Sequence, residues 1–257
     1  MSGAKTRKDL IRALLKGIET GDPASVVVVN EAKYVQHNPM TREGSEGLAA
    51  LFARLAKTSP RVNVARAFSD GDYVFAHTEY DLSTRRIGFE VFRFEEDQAV
   101  EHWDNIMRRP EHLNPTGRGM VDGPTEATDL DRTEANREFV RKFVDDVLVH
   151  RRLDELGRYV DGQIVQHNPS IGDGLDALRS ALEVATPDAA AIVYDRTHRL
   201  LAEGNFVLSV SEGTLGGVHT SFYDLFRISA EGKIAEHWDT VEEIPPRSEW
   251  KNDNGKF

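Results

Sequence analysis

Apolar residues recur along this chain at two spacings, and the change from one to the other happens twice. Between Thr6 and Glu19, Leu10, Ile11, Leu14, Leu15 and Ile18 fall three or four residues apart, which predicts a helix with one apolar stripe. Gly21-Asp22-Pro23 ends that stretch and starts a second helix, with Asp22 as N-cap and Pro23 in the first turn. The β-branched run Val26–Val29 leaves a strand open there as the alternative. Leu48, Leu51, Phe52 and Leu55 predict a third helix over Ser45–Lys57. After Pro60 the pattern shortens to strands at Val62–Phe68, Tyr73–Leu82, Ile87–Phe94 and Ala99–Met107, parted by the turn-formers Asp70-Gly71-Asp72 and Glu95-Glu96-Asp97. Thr133-x-x-Asn136 then leads a helix carrying Phe139, Phe143, Val144 and Val147, and the succession begins again. Its last hairpin turn is Ala230-Glu231-Gly232-Lys233. Helices followed by antiparallel strands predict an α+β fold, a curved sheet wrapped round helices as a cone with an open mouth.

The chain repeats itself in residues as well as in pattern. Val35-Gln36-His37-Asn38-Pro39 returns as Val165-Gln166-His167-Asn168-Pro169, and Glu101-His102-Trp103-Asp104 as Glu236-His237-Trp238-Asp239. The order is kept and the intervals are similar, 65 residues from His37 to His102 and 70 from His167 to His237. Weaker matches lie between them: Gly47-Leu48 with Gly174-Leu175, Asp70-Gly71-Asp72-Tyr73-Val74 with Glu203-Gly204-Asn205-Phe206-Val207, and Phe89-Glu90-Val91-Phe92-Arg93 with Tyr223-Asp224-Leu225-Phe226-Arg227. A period near 130 residues is the length of a small domain and too long for a solenoid unit. Two tandem domains follow, residues 1–120 and 121–257, with the boundary in the Pro- and Gly-rich linker 110–131.

Each copy resembles the SnoaL-like branch of the NTF2-like superfamily. The resemblance is carried by Tyr34-Val35-Gln36-His37-Asn38-Pro39, Asp70-Gly71-Asp72-Tyr73-Val74, Phe92-Arg93 and Glu101-His102-Trp103-Asp104, with their second-copy counterparts, and covers nearly all of both copies. It implies two cystatin-like cones with a pocket between helices and concave sheet. Members include polyketide cyclases that catalyse aldol condensation, ketosteroid isomerases, epoxide hydrolases, and binding or structural modules. Fold membership therefore implies a pocket more firmly than a reaction. Members commonly dimerise through their sheets, so the tandem pair resembles a dimer fused into one chain, with further oligomerisation open.

Charge and composition narrow the partners. With 32 basic and 43 acidic residues the net charge is −11, which argues against nucleic acid or an anionic membrane as partner. No cysteine is present, so disulfides, thiolate metal sites and a cysteine nucleophile are excluded. The N-terminal stretch carries Lys5, Arg7, Lys8 and Asp9 without the apolar core of a signal peptide, and a cytoplasmic location is expected.

Four of the nine histidines and two of the three tryptophans sit in the repeated motifs, which points to a site. Alternation along the last strand puts His102 and Asp104 on one face with Val100 and Ile106, and Glu101, Trp103 and Asn105 on the other. Glu90, across the hairpin, pairs close to His102 or Trp103. This predicts an acid–base pocket with Asp104 as carboxylate base, His102 and His37 as proton donors or orienting groups, and Asn38 and the Trp103 indole as donors to an enolate oxygen. In copy two the same roles fall to Asp239, His237, His167, Asn168 and Trp238, with Asp224 in the place of Glu90. Such a site suits proton abstraction beside a carbonyl in a small apolar ligand, without a cofactor. Each part has a plainer alternative. The His102–Asp104 pair, with Glu90, can be a buried polar network; His37-Asn38-Pro39 can be a helix stop; the tryptophans can be packing residues. A two-His-one-carboxylate face from His37, His102 and Asp104 is the rival metal chemistry, but no short ligand signature supports it, and no metal is expected. The copies differ at His77, which Val210 replaces; Glu79, on the same strand face, is matched by Glu212, so copy one offers His77 and Glu79 where copy two offers Val210 and Glu212. On that basis copy one is expected to hold the more elaborate pocket and copy two to be chiefly its structural partner, although Asp224 and Asp239 leave copy two a full set of carboxylates. A non-catalytic ligand-binding or structural module remains the alternative for the whole chain. An unpaired carboxylate in an enclosed apolar cavity would favour the enzyme, and a saturated one the module.

Overall fold

Thr6 starts the first helix, α1 (Arg7–Lys16): its hydroxyl accepts from the Asp9 amide while the Asp9 carboxylate accepts from the Thr6 amide, closing a capping box. The structure is a computed structural model that describes residues 5–183 and 191–257. The apolar stripe of α1 buries Ile11, Leu14 and Leu15. Asp22 caps the next turn through the Ala24 amide, as the sequence predicts, but the β-branched run sustains only a 3-10 helix, Pro23–Val28. Helix α2 (Gly44–Ala56) buries Leu48 and Phe52.

The strands of copy one are β1 (Val35–Gln36), β2 (Arg61–Asp70), β3 (Tyr73–Asp81), β4 (Arg85–Glu95) and β5 (Gln98–Arg108), in the sheet order β1-β5-β4-β3-β2. The last four are antiparallel. β1 runs parallel to β5, with Val35 opposite Glu101 and Gln36 opposite His102. The sheet is therefore mixed, and the segment read as a helix end before Pro39 is a strand. The open edge of β5 takes up its backbone groups, which would otherwise be buried unpaired.

Copy two follows the same plan. Helix α3 (Thr133–Phe143) runs on into a π-helical turn, Val144–Val149. After it come α4 (Leu156–Tyr159), β6 (Val160–Gln166), α5 (Leu175–Glu183), β7 (Ile192–Glu203), β8 (Phe206–Leu215), β9 (Val218–Ile228) and β10 (Ile234–Glu243). The sheet order is β6-β10-β9-β8-β7, again with the first strand parallel to the last. Matched hairpins turn at Gly71 and Gly204, with φ of 56° and 59°, a conformation that disfavours any side chain. In each copy one sheet face packs on the helices: Ile11, Leu14, Phe52, Val74 and Phe92 meet in one core, and Val140, Phe143, Leu156, Val207 and Phe226 in the other. Among the described residues no helix is long and apolar enough to cross a membrane.

The chain parts into units that differ from residues 1–120 and 121–257. One unit is Met1–Arg109 with Pro245–Phe257, and the other is Pro110–Ile244. The segment after β5 thus belongs with copy two, and the segment after β10 with copy one. Two buried asparagines hold these segments in place. Asn252 Nδ2 donates to Asn38 O (2.8 Å) and Thr41 O (2.9 Å), and Asn114 Nδ2 donates to Gln166 O (2.7 Å) and Ile171 O (3.1 Å). Each amide satisfies two carbonyls around a His-Asn-Pro loop, and the break falls between Arg109 and Pro110, at the start of the linker 110–131.

Candidate active site

Strand pairing sets the site. In copy one, Ala76, Glu90 and Asp104 form one cross-strand row, and Val74, Phe92 and His102 the next, both on the helix-facing side of the sheet. Parallel β1 brings Gln36 alongside His102. His102 Nε2 lies 2.6 Å from Glu90 Oε2, and Nδ1 lies 3.0 Å from Gln36 Oε1. The same glutamine oxygen accepts from the Asn38 amide (2.8 Å), which identifies it as the acceptor, so His102 carries its hydrogen on Nδ1. Tyr80 donates its hydroxyl proton to Glu90 Oε1. Asn38 Nδ2 donates to Asp104 Oδ2 at 2.6 Å. The ammonium of Lys256, a buried residue of the C-terminal segment, donates to Asp104 O at 2.8 Å and stands 3.5 Å from Asp104 Oδ1. Burial pushes the Glu90 carboxyl up, against the bonds from His102 and Tyr80. Burial, then the charge of Glu90, also raises the Tyr34 and Tyr80 phenols.

Copy two builds the same figure from Ser209, Asp224 and Asp239 in one row and Val207, Phe226 and His237 in the next. His237 Nε2 lies 3.0 Å from Asp224 Oδ1, and Nδ1 2.9 Å from Gln166 Oε1. Tyr194 donates to the Asp224 carboxylate at 3.1 and 3.2 Å. Asn168 Nδ2 donates to Asp239 Oδ2 at 2.6 Å. Asp239 Oδ1, like Asp104 Oδ1, is buried with no hydrogen-bond partner among the described residues. Burial opposes a charge on His237, but the bond to Asp224 and the charges of Asp239 and Asp224 outweigh it and raise the imidazole above its ordinary value. Burial raises the Asp239 carboxyl, and the charge of Asp224 adds to the rise, against the pull of His237.

In each cluster the two carboxylates and the imidazole offer one ligand-type atom apiece within 4.8 Å. Both imidazole nitrogens are engaged, one by glutamine and one by a carboxylate. These are the bonds of a proton-sharing network.

Glu90, His102, Asp104 and Asn38 thus come together, as do Asp224, His237, Asp239 and Asn168. His37 and His167 do not join them. His37 stacks on Trp103 (centroids 4.6 Å apart), with Nε2 2.9 Å from Glu101 Oε1 and Nδ1 3.0 Å from Gly255 O. His167 repeats this with Trp238 (4.7 Å), Glu236 Oε1 (2.8 Å) and Gly119 O (2.7 Å). Glu101 and Trp103 alternate with His102 and Asp104, so each histidine of a His-Asn-Pro motif lies on the opposite face of the sheet from the carboxylate cluster. The expectation that His37 and His102 share one cavity is corrected on this ground. The tryptophans also face away, and Trp238 Nε1 donates to Asp122 O at 2.9 Å.

His77 is likewise on the far face, stacked on Phe89 (4.3 Å) with Nδ1 3.4 Å from Arg66. Glu79 shares that face and binds Asn63 and Arg109. Its counterpart Glu212 gathers His198, His219 and Arg196, whose bonds hold it down to about 2 against partial burial. The polar pair expected to enrich the copy-one pocket therefore does not point toward Asp104. Sequence reasoning missed Gln36 and Gln166, although both stand inside the repeated motif, and Tyr80 and Tyr194, which come from different strands. It also missed Lys256, which no repeat marks because copy two has Met120 there.

A family model described as SnoaL-like domain matches residues 11–102 and again 140–237. Among solved structures, TsrD from Streptomyces laurentii is 21% identical with a TM-score of 0.35, covering 38% of this chain and 84% of its own. An NTF2-like protein from Cytophaga hutchinsonii is 20% identical with a TM-score of 0.36, covering 42% and 95%. An LEH-like epoxide hydrolase from M. tuberculosis is 16% identical with a TM-score of 0.34, covering 38% and 80%. No curated protein matches the sequence.

Proposed function

This chain belongs to the SnoaL-like domain family in both its halves, and from that premise we propose that copy two is an acid–base site for a small apolar carbonyl compound. The single observation that carries the reading is Asp239: Asn168 holds one carboxylate oxygen, and the other is buried with no hydrogen-bond partner among the described residues; Asp104 Oδ1 likewise lacks a hydrogen bond but has the Lys256 ammonium 3.5 Å away. A buried polar atom without a bond is costly, and a ligand proton would satisfy it.

The chemistry balances without a cofactor. Asp239 Oδ1 takes a proton from the carbon beside the carbonyl. The C–H electron pair becomes the enolate π bond, and the carbonyl π pair moves onto oxygen. The enolate either regains the proton from Asp239 at another carbon of a conjugated system, which is isomerisation, or attacks a second carbonyl, whose π pair moves onto its oxygen and takes the proton back from Asp239, which is aldol addition or cyclisation. His237, bonded to Asp224 and raised above its ordinary value by the nearby carboxylates, favours the imidazolium form, whose positive charge offsets the oxyanion. Asp224 and Tyr194 orient that imidazole, and Gln166 fixes its Nδ1–H. Val207, Phe222 and Phe226 give the surroundings a hydrocarbon character, which favours an apolar ligand body.

A binding role is the reading for copy one, on a specific observation: Asp104 is taken up by Asn38 on one oxygen and faces the Lys256 ammonium with the other. A carboxylate so occupied orients a ligand or stabilises the fold more readily than it accepts a proton.

The test is deuterium uptake beside the carbonyl of cyclohexanone in heavy water, followed by proton NMR. The wild-type protein is expected to accelerate it, and Asp239→Asn to lose about 100-fold of that acceleration, the usual worth of a general base. An exchange rate that Asp239→Asn leaves unchanged would remove the acid–base reading.

A further inference from the structure

The exchanged segments end differently at the two clusters. Gly255 O accepts from His37 and Gly119 O from His167, so these glycines correspond. The residue that follows is Lys256 in one segment and Met120 in the other, and both are buried. The side chains are similar in length and volume, but only one carries a charge. Neither Asp104 Oδ1 nor Asp239 Oδ1 has a hydrogen-bond partner among the described residues, but Lys256 places an ammonium 3.5 Å from the first.

We propose that this one position, Lys256 in copy one and Met120 in copy two, is the positioning residue that decides which SnoaL-like domain transfers protons. The inference rests on the proton-transfer reading of copy two and names what confines the chemistry there. At 3.5 Å in a buried setting, an ammonium competes directly with any ligand proton for a carboxylate oxygen. Asn38 and Lys256 then hold Asp104 in place. Met120 offers Asp239 no such partner. The groups that face Asp239 among the described residues are Asp224 on β9, His237 on β10, Tyr194 on β7, and Asn168; His237, raised above its ordinary value, is bonded to Asp224. In copy one the corresponding groups are Glu90, His102, Tyr80 and Asn38, and Lys256 adds an ammonium to that set. The residue that sets the character of copy one therefore arrives on the segment that follows copy two.

The test exchanges the two residues. Met120→Lys is expected to slow cyclohexanone deuteration by about tenfold or more, a fraction of what loss of a general base costs. It is also expected to bring the raised ionisation of Asp239, followed by NMR of carboxyl-labelled aspartate, down toward the ordinary aspartate value of about 3.9. Lys256→Met installs the residue native to the other copy and is expected to keep the fold. In an Asp239→Asn background it should raise deuteration by about tenfold over Asp239→Asn alone, through an Asp104 now placed as Asp239 was. The proposal is overturned if Met120→Lys leaves the Asp239 ionisation where it is, or if Lys256→Met gives no gain in the Asp239→Asn background. If Met120→Lys does not fold, the Lys256→Met arm decides. If the wild-type protein does not deuterate the ketone at all, the acid–base reading fails, while the Asp239 titration in Met120→Lys still judges the role assigned to this position.

Discussion

Among the described residues neither Asp104 Oδ1 nor Asp239 Oδ1 has a hydrogen-bond partner; at the first cluster Lys256 stands 3.5 Å from that oxygen, and in the second segment Met120 takes the place of the lysine. The rest of the two figures is nearly identical. Glutamine holds the histidine, a tyrosine and the histidine share one acid, and asparagine holds the other. A duplicated scaffold thus kept its hydrogen-bond geometry while one residue, delivered from outside the sheet, changed the charge balance. The lesson is that repeated motifs fix where side chains go, and that non-repeated neighbours decide what those side chains can do.

The far faces sharpen the comparison, because there the copies differ in depth and not in charge. His167 and Glu236 are more deeply buried than His37 and Glu101, with side-chain exposures of 1% and 5% against 8% and 20%. Breaking a buried pair leaves an uncompensated charge, whereas a wetter pair is screened. Glu236→Gln is therefore expected to cost about 3 kcal/mol of stability and Glu101→Gln about 1 kcal/mol, measured by denaturant unfolding. Equal costs would show that depth does not separate the two pairs. The exchanged asparagines should behave alike instead. Asn114→Ala and Asn252→Ala each strand two buried carbonyls and should each cost about 2–3 kcal/mol. A variant that costs nothing would mean its segment does not hold the loop.

Smaller effects come with pH. His237 titrates above its ordinary value in the folded chain, so its contribution is complete below about pH 6.5 and is lost as the pH rises through that raised value. Asp239 and Glu90, raised by burial, act in the same direction from the ordinary carboxylate range upward. Glu236 is opposite. Burial is outweighed by bonds from His167 and Arg227, its carboxyl is lowered, and its contribution is lost as the pH falls below about 4.5. Amide-exchange protection in β10 should therefore fall on the alkaline side, and His237→Gln should flatten that fall. A His237→Gln profile that keeps the wild-type slope would contradict this assignment.

Much of this was legible in the residues. The repeat order gave two copies of one fold, and alternation along Glu101-His102-Trp103-Asp104 separated the cluster face from the tryptophan face. The turn at Glu95-Glu96-Asp97 put Glu90 close to His102 or Trp103; its cross-strand partner is Asp104, and its carboxylate bonds His102. Three things were hidden. Val35–Gln36 is too short to show a strand period, and its pairing depends on an edge about 65 residues away, so the face of His37 was misread. The exchanged segments carry Asn114 and Asn252 in otherwise unlike sequences, and nothing local says which copy they serve. Lys256 pairs with Asp104 across 152 residues, a contact made by tertiary folding alone.

The central claim is that proton transfer belongs to copy two, and parallel kinetics of Asp104→Asn and Asp239→Asn test it most directly. Both changes keep side-chain size and remove one carboxylate each. Deuteration of cyclohexanone should fall about 100-fold in Asp239→Asn and by much less in Asp104→Asn. A loss in Asp104→Asn as large as that in Asp239→Asn, or larger, would contradict the account.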